Sequence, residues 1–105
     1  MNNEKILALR CALLIAVSEA EKLKDADDGG TSNMDTPIIF LPNWSWAAIE
    51  EAFKLTGLAP SRHGSTVHIL RACEGQGFRR TAMAKAFRDS LKASGYPAAV
   101  YYRMD

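Results

Sequence analysis

Cysteine and histidine are scarce in this chain, whose 105 residues include only two of each. So few cysteines exclude the disulfide framework of a small secreted domain, and they leave little material for a zinc site. Cys11 and Cys73 each lie in an apolar run, so we expect small buried side chains without a bridge. A chain without disulfides is typical of a reducing compartment, and a cytoplasmic location is predicted.

An excess of charge of one sign and a long apolar segment are also missing. The formal net charge is +1, which gives the chain as a whole no attraction for nucleic acid or for a membrane surface. Residues 6–17 form an apolar run that Arg10 interrupts, and this run is far shorter than the roughly 20 residues that span a bilayer. We expect a buried N-terminal helix here, and neither a signal peptide nor a membrane anchor.

The composition, with 48% hydrophobic and 24% charged residues, is that of a folded protein. Its length suits a single domain over residues 1–105. Apolar periodicity and capping residues predict three helices, over residues 3–24, 44–56 and 78–94. Runs rich in β-branched and aromatic residues predict strands over residues 36–41 and 97–104.

The segments between these elements complete the predicted fold. Residues 25–36 are acidic and rich in turn formers, which predicts a mobile loop, and the proline and glycine of residues 58–65 predict another loop. Residues 66–73 fit a strand or a short helix, and β-branched Thr66 and Val67 favour the strand. The expected fold class is α+β, with three main helices and a small two- or three-stranded sheet. If residues 66–73 are a strand, strands joined through helices are free to be parallel.

The first predicted helix has an unusually wide apolar surface. Ile6, Leu13 and Val17 share one face, while Leu7 and Leu14 carry apolar surface around the side. Such a helix is either central in the domain or part of a subunit interface, so a homodimer through this helix is one expectation.

No constellation of catalytic side chains is recognisable. A nucleophile triad needs a base with an orienting partner, and neither His63, in a predicted loop, nor His68 comes with one. His68 and Cys73 are five residues apart, a spacing that places them on opposite faces of a strand and disfavours a shared metal ion. We therefore expect no catalytic residue, no metal and no cofactor, and we predict that the protein is not an enzyme.

Two segments resemble known motifs. Gly75 and Gly77 precede the third helix, whose first turn would offer N–H groups to a phosphate. Residues 74–102 resemble the cofactor loop and following helix of the GNAT acetyltransferases, with Ala72 where that family has glutamine or arginine. This resemblance implies a minimal acyl-CoA-binding or nucleotide-binding domain. Residues 49–71 resemble a helix-turn-helix with a lengthened turn, which implies DNA binding.

Charge is unevenly distributed along the chain. Residues 1–53 hold four basic and nine acidic side chains, a net charge of −5, whereas residues 54–105 hold nine and three, a net charge of +6. On the third predicted helix Lys85, Arg88 and Lys92 fall on one face. We call these three residues the basic stripe.

The leading hypothesis is a small non-enzymatic binding protein, a regulator or stoichiometric inhibitor of a protein with an acidic surface. Small inhibitors carried by phages and other mobile elements are of this size. Because Trp44 and Trp46 cannot both face the core, one of them is expected near the surface, where tryptophan often anchors an interface. The alternative is a nucleic-acid-binding regulator that uses the basic C-terminal half. The predicted partner-binding residues are Arg79, Arg80, Lys85, Arg88, Lys92 and Trp44.

Overall fold

A computed structural model describes residues 2–25, 34–73 and 77–102. Helices and strands follow one another in these ranges as α1 (Asn3–Glu21), β1 (Thr36–Phe40), α2 (Trp46–Phe53), β2 (Ala59–His63), β3 (Thr66–Leu70), α3 (Gly77–Ala93) and β4 (Ala98–Tyr101). The predicted α+β class is confirmed, and so is the strand predicted within residues 66–73.

The four strands form one antiparallel sheet in the order β2-β3-β1-β4. In the centre of the sheet, Ile38 of β1 lies opposite His68 of β3 on one side and Ala99 of β4 on the other. The connections β1–α2–β2 and β3–α3–β4 each skip one strand, which is the β-α-β-β-α-β order of the split βαβ motif. β1 and β2 therefore run in the same direction, but β3 lies between them.

Two expectations about this sheet are wrong: the number of its strands and the loop over residues 58–65. It has four strands instead of two or three, because residues 59–63, predicted as loop, form β2. Pro60 suggested a loop, yet β2 is an edge strand, where a proline is tolerated because one side of the backbone has no neighbour. Neighbouring strands are antiparallel, since each helical connection skips a strand. With β2 and β3 in place, residues 49–71 do not form a helix-turn-helix.

The helices cover one face of the sheet and form the core with it. Ile39, Val67 and Ile69 are fully buried on this face. α3 packs on β1 and β4, where Phe87 is fully buried. α1 packs against α3 on one side and α2 on the other, and buries Leu13 between them. α1 is thus covered by helices on two sides, but Leu7, Leu14 and Ile15 stay exposed, so both alternatives for its wide apolar surface remain predictions.

Capping side chains set the starts of two helices. The Asn2 side chain accepts a hydrogen bond from the Lys5 backbone N–H at 3.0 Å, and the Ser45 hydroxyl accepts one from the Ala48 N–H at 3.2 Å. Because Ser45 is the cap, α2 begins two residues later than predicted. It ends at Phe53, shortly before Leu55, whose φ of 67° is incompatible with a right-handed helix.

Several predicted features include residues that the structure does not describe. Residues 26–33 of the predicted mobile loop, Gly75, and residues 103–104 of the last predicted strand lie outside the described residues. The expectation that Cys11 is buried is wrong, since its side chain lies on the outward side of α1 and is exposed. In the described ranges, no helix is both long enough and apolar enough to cross a membrane.

Candidate binding face of the sheet

Within the described residues, the helices pack on one face of the sheet and leave the other face uncovered. Side chains alternate between the two faces along a strand, and directly opposed residues of an antiparallel pair point to the same face. Ile39 and Val67 point to the helices, so their neighbours in sequence point away from them. We call this the open face, and its described residues are Thr36, Ile38, Phe40, Ala59, Ser61, His63, Thr66, His68, Leu70, Ala99 and Tyr101.

Three aromatic rings form a continuous row across the open face. The centroids of the His63 and His68 rings are 4.7 Å apart, with an interplanar angle of 63°. The centroids of the His68 and Tyr101 rings are 5.0 Å apart, at 58°. The three residues belong to β2, β3 and β4, so the row reaches from one edge strand of the sheet to the other. We call it the ring row.

An open groove of about 450 Å³ lies along the ring row. Its lining combines the three rings with Leu70 and Arg80. None of the open-face residues described above is an aspartate or a glutamate. The groove therefore offers flat rings, apolar surface and one cation, which suits a ligand that carries flat groups and negative charge.

Arg80 is fixed at the rim of this groove by the start of β1. Its Nε donates to the Asp35 carbonyl oxygen at 2.8 Å, and its Nη2 lies 3.5 Å from Thr36 Oγ1. The buried Asp35 carboxylate in turn accepts a hydrogen bond from Thr81 Oγ1 at 2.7 Å. Two consecutive residues of α3 are thus attached to β1, and Arg80 is held beside the ring row.

Burial and the nearby His63 lower the pKa of His68, which is therefore neutral at neutral pH. Ser61 Oγ lies 3.3 Å from His63 Nε2. In the part of the chain that the structure describes, no carboxylate contacts either imidazole, so the pair lacks the orienting group of a triad. Nor does that part contain a cluster of three His, Cys, Asp or Glu side chains that would hold a metal ion.

The basic residues predicted at the start of the third helix act partly as structural anchors. Arg79 Nη1 donates to the Lys24 carbonyl oxygen at 2.8 Å and so joins α3 to the turn that follows α1. Arg80 joins α3 to β1. Of these two, Arg80 also lines the groove.

The basic stripe is a separate surface on the exposed side of α3. Arg88 Nε contacts Asp89 Oδ1 at 2.8 Å, and this hydrogen bond raises the pKa of Arg88 and lowers the pKa of Asp89. Lys85 and Lys92 are exposed. Asp89 thus neutralises the middle of the stripe and leaves the cationic character at its two lysines.

As expected, one of the two tryptophans lies near the surface, and it is Trp46. Trp44 is half-buried and packs against the core, whereas Trp46, the first residue of α2, is exposed. Trp44 immediately precedes the helix cap Ser45, a position from which apolar side chains commonly fold back onto the first turn of the helix. That Trp44 contacts a partner stays a prediction, which the partial exposure of its side chain permits.

Sequence reasoning missed the ring row. The alternation of Val67, His68 and Ile69 does signal that His68 lies on the face opposite two core residues. His63 joins His68 through the β2–β3 hairpin, and Tyr101 joins it because β1 pairs with both β3 and β4. The pairing of these strands and their register depend on the whole sheet, so no local sequence pattern predicts the ring row.

The chain matches no protein-family model, no curated protein and no solved structure. Of the two glycines in the acetyltransferase-like segment, Gly77 begins α3 with a φ of 61°, and Gly75 lies outside the described residues.

Proposed function

We propose that this chain is a small non-enzymatic binding protein that holds a single-stranded nucleic acid on the open face of its sheet and acts as a regulator of that partner. The observation that carries the proposal is the ring row formed by His63, His68 and Tyr101. Unpaired bases have free flat faces that stack on such rings whatever their sequence. A four-stranded sheet that displays aromatic rings on one uncovered face is a known platform for two or three bases.

The chemistry of the individual rings supports base stacking. His68 is neutral at neutral pH because its pKa is lowered, so its ring stacks without carrying a charge that needs water. Tyr101 exposes 47% of its surface and Leu70 exposes 43%, which leaves apolar area for a ligand to cover. Stacking of one base on one aromatic side chain contributes about 1–3 kcal/mol to binding.

Charge on this face also favours a polyanion. The described residues of the open face include no carboxylate, and Arg80 stands at the rim of the groove. Arginine forms strong hydrogen bonds with phosphate oxygens because its planar guanidinium presents several donors. A single-stranded nucleic acid that lies along the ring row therefore has a backbone phosphate within reach of the Arg80 guanidinium.

The first test measures the binding of a fluorescent single-stranded oligonucleotide of about 12 nucleotides by anisotropy. Tyr101→Ala is expected to weaken binding at least about fivefold, and the double variant His68→Ala/Tyr101→Ala at least about 30-fold, because each removes a stacking partner. A duplex of the same sequence is expected to bind more weakly, since its bases already stack on one another.

The matched control is Tyr102→Ala. Tyr102 follows Tyr101 directly and is exposed, but it lies close to Arg88 of α3, away from the ring row. This variant is expected to bind the oligonucleotide like the wild type. The proposal is wrong if the wild-type protein does not bind single strands, or if Tyr102→Ala and Tyr101→Ala weaken binding equally.

A second candidate function is stoichiometric inhibition of a protein with an acidic surface, favoured by the exposed Lys85 and Lys92 of the basic stripe. Reversal of all three stripe residues, Lys85→Glu, Arg88→Glu and Lys92→Glu, is expected to abolish capture of such a protein from a nuclease-treated lysate, because attraction becomes repulsion at three neighbouring points. Folding is expected to survive, because substitutions at exposed Lys85 and Lys92 change stability by less than about 0.5 kcal/mol each, and the ion pair of half-buried Arg88 with exposed Asp89 contributes about 0–1 kcal/mol.

The control for the reversal is Lys5→Glu/Lys22→Glu/Lys24→Glu, which makes the same change in net charge on α1 and just beyond its end. This control is expected to capture the same protein as the wild type. If neither triple variant captures this protein, the loss of binding is due to the change in net charge, and the basic stripe is not a docking surface. Steep weakening of a wild-type complex by salt would indicate a nucleic acid partner, since each phosphate contact releases counterions.

A further inference from the structure

The two histidines of this chain meet on one surface. His63 and His68 are the only histidines in the sequence, and their rings contact each other in the ring row, with centroids 4.7 Å apart. The sheet fixes this contact, because His63 is paired with Thr66 in the β2–β3 hairpin and His68 lies two residues further along β3. Imidazole is the side chain whose charge ordinarily changes just below neutral pH. The open face therefore holds every imidazole of the protein.

Among the described residues, the titratable and charged groups that face this pair carry no negative charge. Tyr101 of β4 contacts the His68 ring, and Arg80 of α3 lines the same groove. The open-face residues of β1 include no titratable side chain. Arg62 of β2 lies opposite Val67, so it points to the helices. In this part of the chain no carboxylate stands beside the pair to offset a positive charge.

A bound phosphate changes the balance between the neutral and the protonated forms of the pair. In the free protein, burial and the nearby His63 ring disfavour a charge on His68 and lower its pKa. A phosphodiester beside the ring favours the protonated form and so raises this pKa in the complex. Because the effects of ligand and proton on each other are reciprocal, such a ligand binds more tightly as the pH falls from the pKa of the complex towards that of the free protein.

We propose that His63 and His68 form a proton-dependent anchor for the backbone of the single-stranded nucleic acid, so that the affinity of the open face rises as the pH falls below neutral. This inference rests on the proposed function. At neutral pH the rings stack on bases and Arg80 supplies the charge for a phosphate. In mild acid the imidazolium groups add positive charge to the same groove, and the protonated rings remain flat and able to stack.

The experiment measures the anisotropy of a fluorescent thymidine oligonucleotide with the full chain at about pH 7.5 and about pH 5.5, on the two sides of the usual imidazole pKa. Thymine does not titrate in this range, so the ligand itself is unchanged. The wild type is expected to bind at least about tenfold more tightly at the lower pH. There, the slope of log Kd against log salt concentration is also expected to be steeper by about 0.7 for each imidazolium that contacts a phosphate.

Two variants separate the charge of the rings from their stacking. His63→Gln/His68→Gln removes both imidazoles, so its affinity is expected to be nearly the same at the two pH values. Tyr101→Ala is the matched control, because it removes a ring of the same row that does not titrate in this range. It is expected to weaken binding at both pH values and to keep the rise in acid. Circular dichroism at both pH values establishes that each protein is folded.

A further measurement needs only the wild type. In NMR spectra recorded across this pH range, the oligonucleotide is expected to move the titration midpoint of the His68 ring protons to higher pH. An unchanged midpoint, or a rise in affinity that persists in the histidine double variant, overturns the anchor. Wild-type binding that is equal at both pH values overturns the anchor and leaves the proposed function in place, whereas absence of binding at both values contradicts the two proposals together.

Discussion

Substitution of Phe87 by alanine is expected to lower the free energy of unfolding by about 3–5 kcal/mol, the range for removal of a buried phenylalanine. Phe87 is fully buried on α3, the helix that packs on α1, β1 and β4. The cavity left by the ring would lie where these elements meet, and their backbones restrict its collapse. Urea unfolding followed by circular dichroism measures the change from the transition midpoint and slope.

Phe78→Ala provides the control for this measurement. Phe78 lies on the same helix, and its side chain is largely exposed. Its truncation is expected to change stability by less than about 0.5 kcal/mol. Equal losses in the two variants would contradict the position assigned to Phe87 in the core.

The second large effect is expected from Asp35→Ala. The variant removes the buried carboxylate that accepts a hydrogen bond from Thr81. Loss of a hydrogen bond to this buried carboxyl group is expected to lower the free energy of unfolding by about 1–3 kcal/mol. Because Asp35 directly precedes β1 and its carbonyl oxygen holds Arg80, loosening of this segment is also expected to weaken oligonucleotide binding at the open face.

Asp35→Asn tests how much of the loss in stability comes from the hydrogen bond with Thr81. The amide keeps an oxygen that accepts from Thr81, so this variant is expected to retain more stability than Asp35→Ala. Thermal unfolding and anisotropy on both variants measure the two effects. If Asp35→Ala unfolds like the wild type, the Thr81 hydrogen bond does not contribute to stability and the account of the groove rim is wrong.

The sequence predicts most of the helices and the central strands because their signals are local. Asn2 begins α1 through its own side chain, and Val67 and Ile69 mark β3 by alternation. β2 is not predicted because Pro60 indicates a loop. A proline is tolerated in β2 only because this strand lies at an edge, and the position of a strand is a property of the whole sheet.

The candidate site is harder to predict than the fold for the same reason. Each ring of the ring row belongs to a different strand, and only the strand order brings His63, His68 and Tyr101 within contact. The charge of the C-terminal half is visible in the sequence. The structure divides that charge between Arg79 and Arg80, which bind backbone carbonyl groups, and the exposed lysines of the basic stripe.

The strand order also has a consequence for the time course of folding. β2 and β3 are joined by a two-residue turn at Gly64, which has a φ of 64°, and such a hairpin forms within about 1–10 μs. β1 and β4 pair residues as distant as Thr36 and Tyr101, and closing so long a loop slows folding. His63 and His68 therefore come into contact early in folding, whereas Tyr101 joins them only when β4 pairs with β1. A nascent or partly unfolded chain presents two rings of the row, and only the completed sheet presents the third.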